Sequence, residues 1–245
     1  MDTPIFNNMR YYFTPISGVF CFLLLPLLFS CKSIPPQSSE IFERPVAVNE
    51  IPPEIPPEVP EERVVERPQP PEDIMGKGIA AGEKLALFLM LNNAKADSDF
   101  VRSLARFYIE EAAAEGVNHD VAFAQMCLET GSLQFGGLVT PDMNNFCGLG
   151  STGARLPDGR IERGAVFPDP RTGVRAHIQH LKAYATREPL NQELVDPRYS
   201  YVRLGIAPTI HGLTGRWALD MSYGRKIAGI LKQLYEFSSE AGISH

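Results

Sequence analysis

The segment IPPEIPPEVPEE at 51–62 sets the first limit on what this chain can fold into. Proline has no backbone N–H and fixes its own φ, so paired prolines join neither a helix interior nor an inner strand. Between 33 and 73 lie 11 of the chain's 21 prolines. Between 32 and 73 lie ten acids against four bases, a balance of −6 that equals the net charge of all 245 residues. Residues 31–75 therefore read as an extended, self-repelling linker with no core of its own. Residues 76–240 remain as one domain of 165 residues, large enough to be stable without disulfides or metal. That domain is close to neutral and has no basic cluster, which argues against nucleic acid as a partner.

Ahead of the linker, Tyr11–Ser30 is apolar, follows Arg10 and ends on Leu28, Phe29, Ser30 and Cys31. This arrangement reads as an export signal over 1–30. Its end resembles a bacterial lipobox, with Cys31 as the lipidated residue and the chain anchored in the cell envelope by that lipid. The competing reading is a retained membrane helix, which Pro15 and Pro26 interrupt. Two cysteines fall inside the domain, Cys127 and Cys147. An exported chain permits a disulfide between them, and two buried thiols are equally ordinary.

Helical spacing begins after Gly76. Glu83–Leu91 forms one apolar helix. A second is capped by Asp97 or Ser98, carries Val101, Leu104, Tyr108 and Ala112 on one stripe, and ends at Gly116. A third, capped by Asn118 or Asp120, runs through VAFAQMCLET to Gly131. Residues 154–167 read as two short strands about Asp158-Gly159. Helix resumes from Thr172 to about Arg187, and a last helix is expected from about Leu213 to Phe237. The sum is a mainly α (α+β) domain with a small β-hairpin lobe, and a cleft between lobe and helices.

Glu129 stands in the last turn of an otherwise apolar helix. Apolar surroundings and the negative end of the helix dipole both disfavour its charged form. A glutamate still protonated near neutral pH can protonate the leaving oxygen of a glycosidic bond. The alternative is a solvated glutamate on an outer face shared with Gln125, four residues earlier. His177 and His180, three apart on a helix, lack the further ligands zinc needs; one is expected in the core and the other in water. No cofactor motif is present: there is no phosphate loop and no nucleophile elbow.

Four segments, AQMCLETGSLQFGG (124–137), NNFCGLG (144–150), FPDPRTGVRAHIQHLKAYA (167–185) and GRWALDMSYGRKI (215–227), resemble in order the glucosaminidase domain of family 73 glycoside hydrolases. The resemblance implies a lysozyme-like helical fold that cuts the β-1,4 bond after N-acetylglucosamine in peptidoglycan glycan strands, and the chain is expected to be a monomer. It puts Glu129 in the place of the general acid and Tyr223 in that of a tyrosine near the end of the domain. It also puts Asn144, Asn145 and Phe146 in a loop lining the cleft. Trp217, the single tryptophan, could stack on a sugar or lie buried in the last helix. The second carboxylate is expected on the hairpin lobe. Glu162 is the first candidate, with Asp158 behind it and Asp220 on the last helix as an outsider. A lytic transglycosylase, or a glycan-binding protein without turnover, would share most of these features.

Overall fold

The computed structural model describes residues 68–237. The export segment, Cys31 and most of the linker lie outside the described residues. Five helices follow in order: α1 (Gly82–Asn92), α2 (Ser98–Glu115), α3 (His119–Thr130), α4 (Pro170–Ala185) and α5 (Tyr223–Glu236). Their ends follow local chemistry. The Asp97 carboxylate accepts the Phe100 N–H to cap α2, and Asn118 accepts the Asp120 and Val121 N–H groups to cap α3. Gly116 and Gly131 close those helices in the left-handed conformation.

The expected stripe on α2 is fully buried: Val101, Leu104, Tyr108 and Ala112 are all 0 % exposed. It faces α1 and α4, while α3 packs against α2, α4 and α5. As a result α3 is enclosed almost all round, with every residue from His119 to Cys127 buried. The same buried side of α2 supplies a second kind of adhesion to α4. Glu111 accepts from Arg171 at 2.5 Å, Arg175 at 2.8 Å and Gln192 at 3.1 Å. One turn on, buried Glu115 pairs with buried Lys182 at 2.9 Å and accepts the backbone N–H groups of Asn191 and Gln192. Two carboxylates spaced i, i+4 thus join α2 to α4 and to the loop beyond it.

Three expectations are corrected. The last helix begins at Tyr223, ten residues later than expected. Ahead of it come a 3₁₀ turn at His211–Leu213 and a loop in which Gly215 takes φ +71° and Asp220 accepts the Ser222 N–H. Trp217 and Asp220 therefore lie in that loop, and Asp220 is paired with Lys226 at 2.6 Å. The hairpin lobe is narrower than two strands, since Arg155 and Ile161 form its single bridge, flanked by Leu156–Arg160 and Glu162–Ala154 hydrogen bonds. Finally, His177 and His180 are both buried.

One close approach fixes the loop after α3. A side chain at Gly173 would place its Cβ 1.8 Å from the Asn144 carbonyl oxygen, so α4 meets this loop backbone to backbone only because residue 173 is glycine. The α2–α4 ion pair yields a prediction. Glu115→Ala leaves the Lys182 ammonium buried without its counter-charge, and the domain should lose about 3–5 kcal/mol. Urea unfolding at pH 7 measures this, and a loss below about 1 kcal/mol would show that Lys182 escapes to water.

Candidate active site

Glu129 lies where α3 ends, half-buried, with its carboxylate turned toward α5 and the loop before it. One oxygen, Oε1, takes two donors: the Trp217 indole N–H at 3.0 Å and the Tyr223 hydroxyl. The other, Oε2, lies on the side of Gly148, where an added Cβ would sit 3.8 Å away. Burial pushes the Glu129 pKa up from 4.5 to about 7, and the Tyr223 and Trp217 donors pull part of the way back. With both donors spent on Oε1, the proton of the acid form belongs on Oε2.

Gly148 belongs to one wall of a hollow of about 180 Å³. Residues 147–152 form that wall, and Trp217, Tyr184, His180 and Arg198 form the rest. Because Trp217 sits in a loop, its indole can reach across α4: its ring packs 5.0 Å from His180, 5.4 Å from Tyr184 and 5.9 Å from His177. His180 is itself fixed by the Asp196 carboxylate at 2.7 Å.

Gln125 does share a face with Glu129, and that face is internal. The Gln125 amide donates to the Tyr223 hydroxyl at 2.7 Å and accepts from His177 Nε2 at 3.0 Å. His177 Nδ1 meets the Tyr108 hydroxyl at 2.9 Å. Tyr108, Gln125 and His177 are each 0 % exposed and Tyr223 is 3 % exposed. Burial drives the His177 pKa down to about 3, with His180 adding to the effect, so its imidazole is neutral.

The expected binding loop has a different task from the one anticipated. Phe146 is buried in the main core and Asn145 is spent internally. The Asn145 amide donates to the Leu149 and Ala165 carbonyls and accepts the Leu149 N–H, each at 3.0 Å. Asn144, in the left-handed region, donates to the Phe167 carbonyl. These side chains shape the loop and tie it to the base of the hairpin; the residues that follow them line the hollow. Cys127 and Cys147 are free, buried thiols, and burial pushes Cys127 up to about 12.

Glu162 borders a second, broader groove of about 560 Å³ between the hairpin and the 3₁₀ turn at Pro141–Met143. Its carboxylate accepts the Thr152 hydroxyl, and Thr152 in turn lines the first hollow. Asp158 is exposed at the hairpin tip, paired with Arg160. Among the described residues no group of three His, Cys, Asp or Glu side chains is placed to hold a metal ion.

Residues 105–236 match the Glucosaminidase family, described as mannosyl-glycoprotein endo-beta-N-acetylglucosaminidase. The chain belongs to the glucosaminidase family. A Borreliella burgdorferi protein of uncharacterized role is 40 % identical over 166 residues, covering 68 % of this chain and 78 % of its own. Among solved structures, Staphylococcus aureus autolysin E in complex with the muropeptide NAM-L-Ala-D-iGlu is similar at 13 % identity, over 68 % of this chain and 71 % of that one, with a TM-score of 0.43. Its catalytic mutant in complex with the disaccharide NAG-NAM is similar at 14 % identity over the same shares, with a TM-score of 0.41.

The network in this glucosaminidase-family domain was only partly visible beforehand. Gln125 could have been found from its i, i−4 relation to Glu129. His177 and Tyr108 give no such signal, because they come from other helices. The raised pKa of Glu129 carries a stability consequence. Between its unfolded value of 4.5 and its folded value of about 7 the folded state binds more protons than the unfolded one, so this residue's contribution falls as pH rises through that window. Glu129→Gln removes the penalty. It should match the parent near pH 4 and exceed it by up to about 3 kcal/mol at pH 8, as read by denaturant midpoints. Equal pH dependence in both proteins would mean that the carboxylate is solvated.

Proposed function

We propose that this chain hydrolyses the β-1,4 bond after N-acetylglucosamine in peptidoglycan glycan strands, with Glu129 as the general acid. The observation that carries the reading is the state of Glu129. It is a half-buried carboxyl whose pKa burial pushes up to about 7, held through one oxygen and with the other beside Gly148, which lines the hollow. Such a group keeps its proton near neutral pH and can deliver it to a glycosidic oxygen as the bond to C1 breaks. The Trp217 and Tyr223 donors then stabilise the carboxylate that remains.

The positive charge that develops at C1 needs a partner. Glu162 is the candidate carboxylate on the hairpin lobe, yet it borders a different groove and already accepts the Thr152 hydroxyl. This favours the sugar's own 2-acetamido oxygen as the attacking group, with Glu129 in its ionised form activating water for the second step. Asn144, Asn145 and Phe146 support the wall of the glycan site, Trp217 contributes its ring, and no cofactor takes part. Digestion of purified sacculi tests the reading. New reducing ends at N-acetylglucosamine should appear, with a rate that falls on the alkaline side around pH 7. Glu129→Gln should lower kcat by at least about 10²-fold without loss of folding, and Glu162→Gln should stay within about tenfold of the parent. Anhydro-muramic ends would replace hydrolysis by transglycosylation, and binding without release of sugar at any pH would leave a non-catalytic glycan receptor.

The reading extends to where the domain works. On this reading 1–30 is an export signal, Cys31 carries the lipid anchor in the cell envelope, 31–75 is the tether and 76–240 is the catalytic domain, acting as a monomer. No helix among the described residues is long and apolar enough to cross a membrane. Cys31→Ala should shift the protein from the membrane fraction to the soluble one after cell lysis. Retention in the membrane would point to an uncleaved helix.

A further inference from the structure

The side chains of Tyr108, His177, Gln125, Tyr223 and Glu129 form one unbroken hydrogen-bonded line across α2, α4, α3 and α5. Its direction can be worked out atom by atom. The Gln125 carbonyl oxygen only accepts, so His177 carries its hydrogen on Nε2. The imidazole is neutral, so Nδ1 is a lone pair and the Tyr108 hydroxyl is the donor there. The Gln125 amide nitrogen only donates, so the Tyr223 oxygen accepts from it and spends its single hydrogen on Glu129 Oε1. All four bonds point toward Glu129, and each polarises the next.

The opposite direction is also self-consistent from Tyr223 to His177. Tyr223 would donate to a flipped Gln125, Gln125 to His177 Nε2, and His177 Nδ1–H to the Tyr108 oxygen. In that state Glu129 would hold its proton on Oε1 and donate it inward to Tyr223, away from the hollow. What separates the two states is the far end. The Tyr108 hydroxyl is completely buried and has His177 as its only partner among the described residues. Reversal would strand the Tyr108 proton with no acceptor among the described residues, whereas the direction toward Glu129 leaves only an unused lone pair. An orphaned buried donor is the costlier of the two.

We infer that Tyr108 and His177 are positioning residues that act through Gln125 and Tyr223 to fix which oxygen of Glu129 carries its proton, keeping that proton on Oε2 and available to substrate. The inference rests on Glu129 being the general acid. Other titratable groups near the line are few: Cys127 on α3, Cys147 on the following loop, and His180 on α4, which is tied to Asp196. Burial pushes both thiols upward, so neither changes charge near neutral pH.

Tyr108→Phe tests this with little loss of packing, since the ring stays edge-on to Phe123 at 5.6 Å. Without the hydroxyl, His177 Nδ1 is unpartnered in both directions, as a lone pair in one and as an N–H in the other, so the preference for the first direction narrows and part of the protonated enzyme takes the reversed one. The kcat plateau on sacculi should fall about two- to tenfold with KM unchanged. The reversed state exists only while Glu129 is protonated, so it stabilises the acid form. The alkaline limb of the profile should therefore move to higher pH. A lower plateau together with a higher limb is not expected of a merely loosened fold; an unmoved limb would overturn the inference. Independently of any variant, ¹⁵N spectra of the parent should show His177 protonated at Nε2 only, from pH 5 to 8. An Nδ1–H tautomer or a titrating imidazolium would also overturn it. A parent that releases no sugar sinks the hydrolase reading instead, and the tautomer result then stands alone.

Discussion

The enclosure of α3 is the constraint on which the rest of the domain depends. A helix buried on nearly every side cannot leave polar groups unpaired, because each one carries a desolvation cost that water no longer offsets. At its first turn Asp120 meets this demand by accepting the Ile79 and Ala80 N–H groups and the Tyr235 hydroxyl. In the middle, Gln125 meets it with His177 and Tyr223. At the last turn Glu129 meets it with Tyr223 and Trp217. The helix is thus bound to α5 at its beginning, middle and end, and the Glu129 carboxyl is the terminus of a structural network.

That arrangement separates two demands on one carboxyl group. Oε1 belongs to the protein and holds two donors, while Oε2 lies toward the hollow. Burial raises the pKa and the donors restrain it, giving a value near 7. More burial would keep the proton too tightly to release it; more donors would strip it off at neutral pH. The position of Trp217 matters for the same reason. Its indole N–H reaches Glu129 while its ring faces His180 and Tyr184, so one side chain both tunes the acid and shapes the hollow beside it.

Adhesion elsewhere is ionic where the site is not. Glu111 and Glu115 on α2 gather Arg171, Arg175 and Lys182 from α4, together with backbone donors of 191–192. A buried ion pair adds less to net stability than its geometry suggests, but it penalises any register in which one charge is left alone. It therefore sets how α4 lies on α2, and with that the distance from Tyr108 to His177.

Local chemistry in the sequence was enough to narrow the caps to Asp97 or Ser98 and to Asn118 or Asp120, and to place the stops at Gly116 and Gly131, the buried stripe of α2, and Glu129 at the end of an apolar helix. Each of these depends on residues within a few positions of one another, and the similarity of four short segments in order pointed to the family. The start of α5 was misplaced because GRWALDMSYGRKI has helical composition, whereas Gly215 and the Asp220 side chain turn the chain by specific hydrogen bonds that composition does not express. The burial of both His177 and His180, the inward roles of Asn145 and Phe146, and the line from Tyr108 to Glu129 were settled only by the tertiary structure. Those contacts join residues 69, 52 and 98 positions apart, and hydrogen bonds at such separations have no periodicity that a sequence can display.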